Sequence, residues 1–270
     1  MALYQKYETE NSYTYLQQVV DLLEEPICIL GGWAVYFTVN EQYKKEKGQD
    51  YIGSKDIDLG FHIDMNSDKD QLKNTMIAKT ISLLEKNRFQ PLGSRYYKDI
   101  SIETGKELTD EESKIEPSHN VFKMYIDLLV DNMHPDFKEF FRFDPYDEEL
   151  LSHTFKDPKN RTELIKFKKL LWLPAPEILL STKIKSLPDR TEDKKIKDIC
   201  DIYALSYFSK KNIKDLIKAT RTILDAEKFE RLQPLLQSDE EFLKAADHLL
   251  VEGESIKNLF QDLIKTRNKI

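Results

Sequence analysis

Residues 27–61 constrain this chain more than any other stretch, because they join a short apolar run, a glycine pair and two alternating acids. Ile27, Cys28, Ile29 and Leu30 read as a buried strand, set off by Glu24-Glu25-Pro26 from a helix expected over residues 12–24. Gly31-Gly32 permits a tight turn and a close backbone approach, and a helix is expected from Trp33 toward Val39 or Tyr43. The N–H groups and positive dipole end at such a start form a seat for phosphate oxygens. Residues 51–63 read as a second strand, in which Asp56 and Asp58 share one face while Ile57, Leu59 and Phe61 take the other. Two carboxylates side by side repel unless a cation joins them, which is how Mg²⁺ ions on nucleotide phosphates are held.

The rest of the chain supplies a third acid and a change of character. Residues 64–70 read as a polar turn, with Asn66-Ser67 as N-cap, opening an amphipathic helix over Leu72, Met76, Ile77, Thr80, Ile81 and Leu84 to about Asn87. One or two strands follow in residues 89–102, and residues 103–120 read as a polar loop without structure of its own. Residues 121–130 form a strong strand with Asp127 between Ile126 and Leu128, where a buried acid is costly unless a cation or a donor meets it. Residues 137–143 suggest a short helix or turn, and residues 150–155 and 162–173 a hairpin around Asp157-Pro158-Lys159-Asn160. Beyond Leu173-Pro174-Ala175-Pro176 the pattern is helical to the end, with segments at 177–186, 191–208, 213–224, 227–236, 239–250 and 255–265.

Charge and composition narrow the class. The formal charge is −7, yet residues 156–221 hold 17 Lys and Arg against 9 Asp and Glu, so an acidic body carries one basic segment. Only 8 glycines against 33% charged residues favour a helix-rich protein. Cys28 and Cys200 lie in apolar contexts and read as buried thiols in a reducing cytosol. No run approaches a membrane span and the first twelve residues lack a signal-peptide core, so a cytoplasmic protein without a membrane partner is expected. The five histidines have no metal-ligand spacing.

Nucleotidyl transfer needs a triphosphate cradle, carboxylates that fix two metals, and an acid near the attacking hydroxyl. Gly31, Gly32 and the Ser54 hydroxyl answer the first need, Asp56 and Asp58 the second, and Asp127 the third, binding one metal and drawing the hydroxyl proton. At these residues the chain resembles the nucleotidyltransferase superfamily that includes DNA polymerase beta. The stretch Pro176-Glu177-Ile178-Leu179, then Lys183, Arg190, Lys197-Asp198 and Asp201, is similar to the AbiEii-type members, which include toxins of toxin–antitoxin pairs. The resemblance covers the chain to about residue 208; where the family often carries Arg ahead of the acid strand, this chain has Ile52.

That resemblance implies an α/β (α+β) fold, with a mixed β-sheet nucleotidyltransferase core flanked by helices over residues 1–174 and a helical bundle over 175–270. It implies a Mg²⁺-dependent enzyme with a two-metal site of Asp56, Asp58 and Asp127, moving a nucleoside monophosphate from an NTP to a hydroxyl and releasing pyrophosphate. Lys183 and Arg190 would meet triphosphate charge, while Asp198 would orient Lys183 or a ribose hydroxyl. An RNA acceptor such as tRNA and a cognate antitoxin are the implied partners. Two alternatives stand beside it, a transferase acting on small aminoglycoside-like or lincosamide-like molecules and a catalytically silent nucleotide-binding module.

Overall fold

The structure is a computed structural model that describes residues 3–141 and 143–265. The chain divides into a sheet unit, Tyr4–Trp33 with Gly53–Leu173, and a helical unit, Ala34–Ile52 with the described residues from Pro174 onward.

In the sheet unit α1 (Lys6–Leu22) starts earlier than its apolar spacing suggests, because Gln5 and Glu8 form a capping box ahead of the first buried residue. β1 (Ile27–Ile29) leads into α2 (Gly31–Lys47), whose opening residues belong to this unit. The glycine pair is thus inside the first turn rather than ahead of a helix beginning at Trp33. The same helix runs on through the charged residues 44–47, where Lys44, Lys45 and Lys47 complement its negative end, and Gly48 at φ 76° stops it. β2 (Asp56–Phe61) is shorter than the strand expected over residues 51–63.

Two capped helices, α3 (Lys69–Lys73) behind Asp68 and α4 (Met76–Lys86) behind Thr75, replace the single helix expected after Asn66-Ser67. β3 (Gln90–Leu92) and β4 (Arg95–Ser101) make an antiparallel hairpin. The supposed loop 103–120 contains α5 (Asp110–Ile115), held by a Thr109–Glu112 capping box with no buried side chain. β5 (Val121–Val130), α6 (Phe137–Phe141) and β6 (Tyr146–Asp147) follow. Residues expected to form one arm of a hairpin are instead α7 (Leu151–Lys156), and the hairpin is β7 (Arg161–Lys166) with β8 (Lys169–Pro174). It turns at Phe167 and Lys168, both left-handed at φ 54° and 59°, the backbone a two-residue hairpin demands.

These strands form one mixed sheet in the order β3-β4-β5-β2-β1-β8-β7, with β6 alongside β5. β2 is parallel to β5 and antiparallel to β1, and β1 is parallel to β8. One face is the core: Ile57, Leu59, Met124, Ile126 and Leu128 are each at most 1% exposed. Burial of that alternating set fixes the register, and therefore sends the intervening residues of β2 and β5 to the opposite face.

The helical unit contains α8 (Pro176–Ser186), α9 (Glu192–Phe208), α10 (Ile213–Ile223), α11 (Ala226–Glu230), α12 (Glu240–Leu249) and α13 (Gly253–Lys265). The helix expected over 227–236 ends at Glu230, and a 3-10 turn over Gln233–Gln237 opens around Pro234, which has no N–H to continue it. α9 packs on α8 and α12, burying Ile199, Cys200, Ile202, Ala204 and Leu205. Among the described residues no helix is long and apolar enough to cross a membrane.

Candidate active site

The register of the sheet places the acids. Asp58 on β2 stands opposite Asp127 on the parallel strand β5, and Asp56 opposite Tyr125. On the other side of β5, the antiparallel strand β4 sets Arg95 opposite Asp127, Tyr97 opposite Tyr125, and Asp99 opposite Lys123. Side-chain alternation therefore puts all eight of these residues on the face away from the core.

Asp127 is 8% exposed, and the cost of burying a carboxylate there is offset by Arg95. The Arg95 Nε donates to Oδ1 at 2.8 Å and Nη2 to Oδ2 at 2.6 Å, a bidentate pair that engages both oxygens. The guanidinium also lies 4.2 Å from the centre of the Tyr125 ring. Burial acts to lower the Arg95 pKa, but the hydrogen bonds and charge of Asp127, helped by Asp56, outweigh it and raise the pKa, so the group stays charged. Beyond the Tyr97–Tyr125 rung of the same ladder, Lys123 pairs with Asp99 and sits 3.9 Å from the Tyr97 ring centre.

Gly31 meets Asp58 directly. Its φ is 57°, and a Cβ built there would lie 1.9 Å from Asp58 Oδ2, closer than any side chain permits. The Leu30 N–H donates to the Asp58 carbonyl at 2.9 Å, which holds the end of β1 against β2. The Asp58 carboxylate therefore lies against the first turn of α2, where the helix dipole favours negative charge. Gly32 is the next residue of that turn, and Ser54, 8% exposed, lies two residues ahead of β2.

The other three candidates stand together in the helical unit. Lys183 on α8 pairs with Asp198 at 2.5 Å and with Asp201 at 2.8 Å, both on α9. Lys197 pairs with Asp201, the Tyr51 hydroxyl donates to Asp201 Oδ1 at 2.8 Å, and Ser186 donates to Asp198 Oδ2 at 3.1 Å. Arg190 reaches the same Asp198 oxygen through Nε at 3.1 Å, with its side chain 41% exposed. Asp198 thus meets Lys183, Arg190 and Ser186 together. Asp201, Lys197 and Tyr51 complete the network, and Tyr51, read as the start of the acid strand, lies ahead of β2 and had no signal of this role.

Arg95 is the site residue that motif reading misses. Its one trace in the sequence is the alternation Arg95, Tyr97, Asp99 around buried Tyr96, together with the need of a central Asp127 for a donor.

Among the described residues no three His, Cys, Asp or Glu side chains form a set that could hold a metal ion. Both Asp127 oxygens accept from Arg95. Asp56 and Asp58 nevertheless suit a hard divalent cation by chemistry and by position, since Mg²⁺ is commonly held by one or two carboxylates plus substrate phosphates.

No protein-family model matches the chain, and no curated protein matches it. Among solved structures it is similar to an antigenic nucleotidyltransferase-like protein from Paracoccidioides brasiliensis, with 18% identity over 92% of this chain and 93% of that one and a TM-score of 0.43.

Proposed function

We propose that the chain is a nucleotidyltransferase that moves a nucleoside monophosphate from an NTP to an acceptor hydroxyl, releasing pyrophosphate. The observation that carries this reading is the β2–β5 register, which sets Asp58 beside Asp127 with Asp56 two residues away on the same face. Mg²⁺ held by Asp56 and Asp58 would supply the positive charge that lets a triphosphate approach an acidic face. Gly31 lets the Asp58 carboxylate lie against the first turn of α2, so a cation held by Asp58 and the backbone N–H groups of that turn would meet the same phosphate oxygens. The acceptor oxygen attacks the α-phosphorus, its proton passes to the Asp127 carboxylate, and the bond from the α-phosphorus to the pyrophosphate oxygen breaks.

The acceptor we favour is RNA such as tRNA, on the basic segment 156–221 and the AbiEii-like pattern, which also makes a toxin with a cognate antitoxin the biological setting. The bidentate Arg95 favours one other reading, a silent nucleotide-binding module in which Asp127 never receives a proton.

Purified protein with Mg²⁺ and each labelled NTP is offered total tRNA in one series and aminoglycosides and lincosamides in another. Label on RNA that disappears in Asp56→Ala supports the proposal, and label on a drug replaces the acceptor. Nucleotide binding without transfer to either would select the silent module.

A further inference from the structure

We infer that Arg95 is a built-in counter-ion for the candidate metal site: it neutralises Asp127 when no divalent cation is present and has to leave that carboxylate before Asp127 can serve a cation. The inference rests on the metal-site reading of Asp56, Asp58 and Asp127, and it concerns how that site is controlled.

Three features of the face support it. First, the pair is bidentate, at 2.8 and 2.6 Å, and it engages both oxygens of Asp127, the oxygens a cation would need. Second, Arg95 comes from β4, outside the acid strands, and the β4–β5 register sets it directly opposite Asp127. A guanidinium anchored on a neighbouring strand can withdraw by side-chain rotation while the register of β2 and β5 is untouched. Third, a second contact is already in place. The guanidinium sits 4.2 Å from the Tyr125 ring centre, so it keeps a cation–π partner after releasing the carboxylate. Tyr125 is also the residue opposite Asp56, which keeps the displaced charge beside the site.

Another ion pair on the same face provides the contrast. Lys123 meets one Asp99 oxygen, and Ser113 donates to the other at 2.6 Å. That pair lies at the far end of the acid face, with Tyr97 and Tyr125 between it and Asp127, and it is closed by its own residues. At Asp127 the same device stands beside Asp58, where a cation and a guanidinium would compete for one carboxylate. Competition of this kind is reciprocal: whatever Arg95 takes from cation affinity, the cation takes from the Arg95 pair.

Mn²⁺ binding, read by electron paramagnetic resonance and calorimetry without nucleotide, tests this on the full chain. Arg95→Gln is expected to bind Mn²⁺ about tenfold more tightly than wild type, the scale of one charge-assisted hydrogen-bonded pair. Arg95→Lys, which keeps the charge but not the fork, should fall between them and serves if the Gln variant does not fold. The gain should vanish in the double variant Arg95→Gln with Asp127→Asn. Wild type that binds Mn²⁺ through Asp56, with an affinity unchanged or weakened in both Arg95 variants, overturns the counter-ion role and leaves the metal site standing. Failure of wild type and every Arg95 variant to bind Mn²⁺ overturns both.

Discussion

Two clusters of charge in this chain use the same residue types to opposite ends. In the helical unit, Lys183, Lys197 and Arg190 meet Asp198 and Asp201, the pairing runs through both carboxylates, and Asp201 is 0% exposed. On the sheet face, Asp127 pairs with the Arg95 guanidinium and stands beside Asp58, with Asp56 two residues away on the same face. Where cations outnumber acids in a buried knot, the charges answer one another and the result is stability. Where acids converge on a sheet face, as at Asp56, Asp58 and Asp127, the proposed function assigns them to a positive charge brought from outside. Substitutions should therefore divide cleanly, with stability losses in the first cluster and activity losses in the second.

The largest effect is expected at Asp201. Asp201→Ala leaves the Lys183 and Lys197 ammonium groups buried without that carboxylate, which costs about 3–5 kcal/mol in chemical denaturation. Its pH signature is specific. Burial acts to raise the Asp201 pKa, but the Lys183 and Lys197 charges outweigh it and hold the group below the ordinary carboxylate value. A carboxyl with a depressed folded pKa contributes its full stability above its unfolded pKa, about 3.9, and loses it as pH falls through the folded value. Wild type should lose stability on acidification below about pH 4, and Asp201→Asn should lack that part of the slope.

Next in size is Asp56→Ala, which breaks the comparison if it behaves like Asp201→Ala. Transfer should fall by more than about a hundredfold while unfolding free energy stays within about 0.5 kcal/mol of wild type. A large stability loss at Asp56 would make the sheet face a second structural knot.

What the sequence disclosed follows the physics of each signal. Alternation located β5, whose buried residues recur at every second position over most of its length, whereas β1, α8 and α9 are buried almost continuously and were legible as apolar stretches between breakers. Asp56, Asp58 and Asp127 were readable because alternation in a strand settles the face. α5 was not readable by that route, since it buries no side chain and is held by a capping box and polar contacts. α7 was mistaken for a strand because six residues are too few for the two periods to separate. Arg95 escaped for a different reason: its partner is 32 positions away, and only the β4–β5 register brings them together.

Gly31→Ala probes the joint between helix and acid. A left-handed φ and contact with Asp58 Oδ2 should together cost about 2 kcal/mol. Asp58→Ala in the same chain removes the obstructing carboxylate and leaves the backbone part with a 3.2 Å contact to the Cβ of residue 58, so the double variant should lose less than the sum of the two. Strict additivity would mean that the glycine is required for its φ alone.

The smallest expected effect decides which cluster claims Arg190. Its Nε donates to Asp198 at 3.1 Å, but the side chain is 41% exposed and Asp198 also accepts from Lys183 and Ser186. Solvent screens such a pair, so Arg190→Ala should cost no more than about 1 kcal/mol. The triphosphate contact expected from the sequence makes a separate demand, that NTP affinity fall about tenfold with folding nearly unchanged. Denaturation and nucleotide titration on the same variant separate the two. A loss confined to affinity assigns Arg190 to function although its hydrogen bond lies in the structural knot. A loss of several kcal/mol would place it beside Lys183 and Lys197, and the division between the clusters would then be complete.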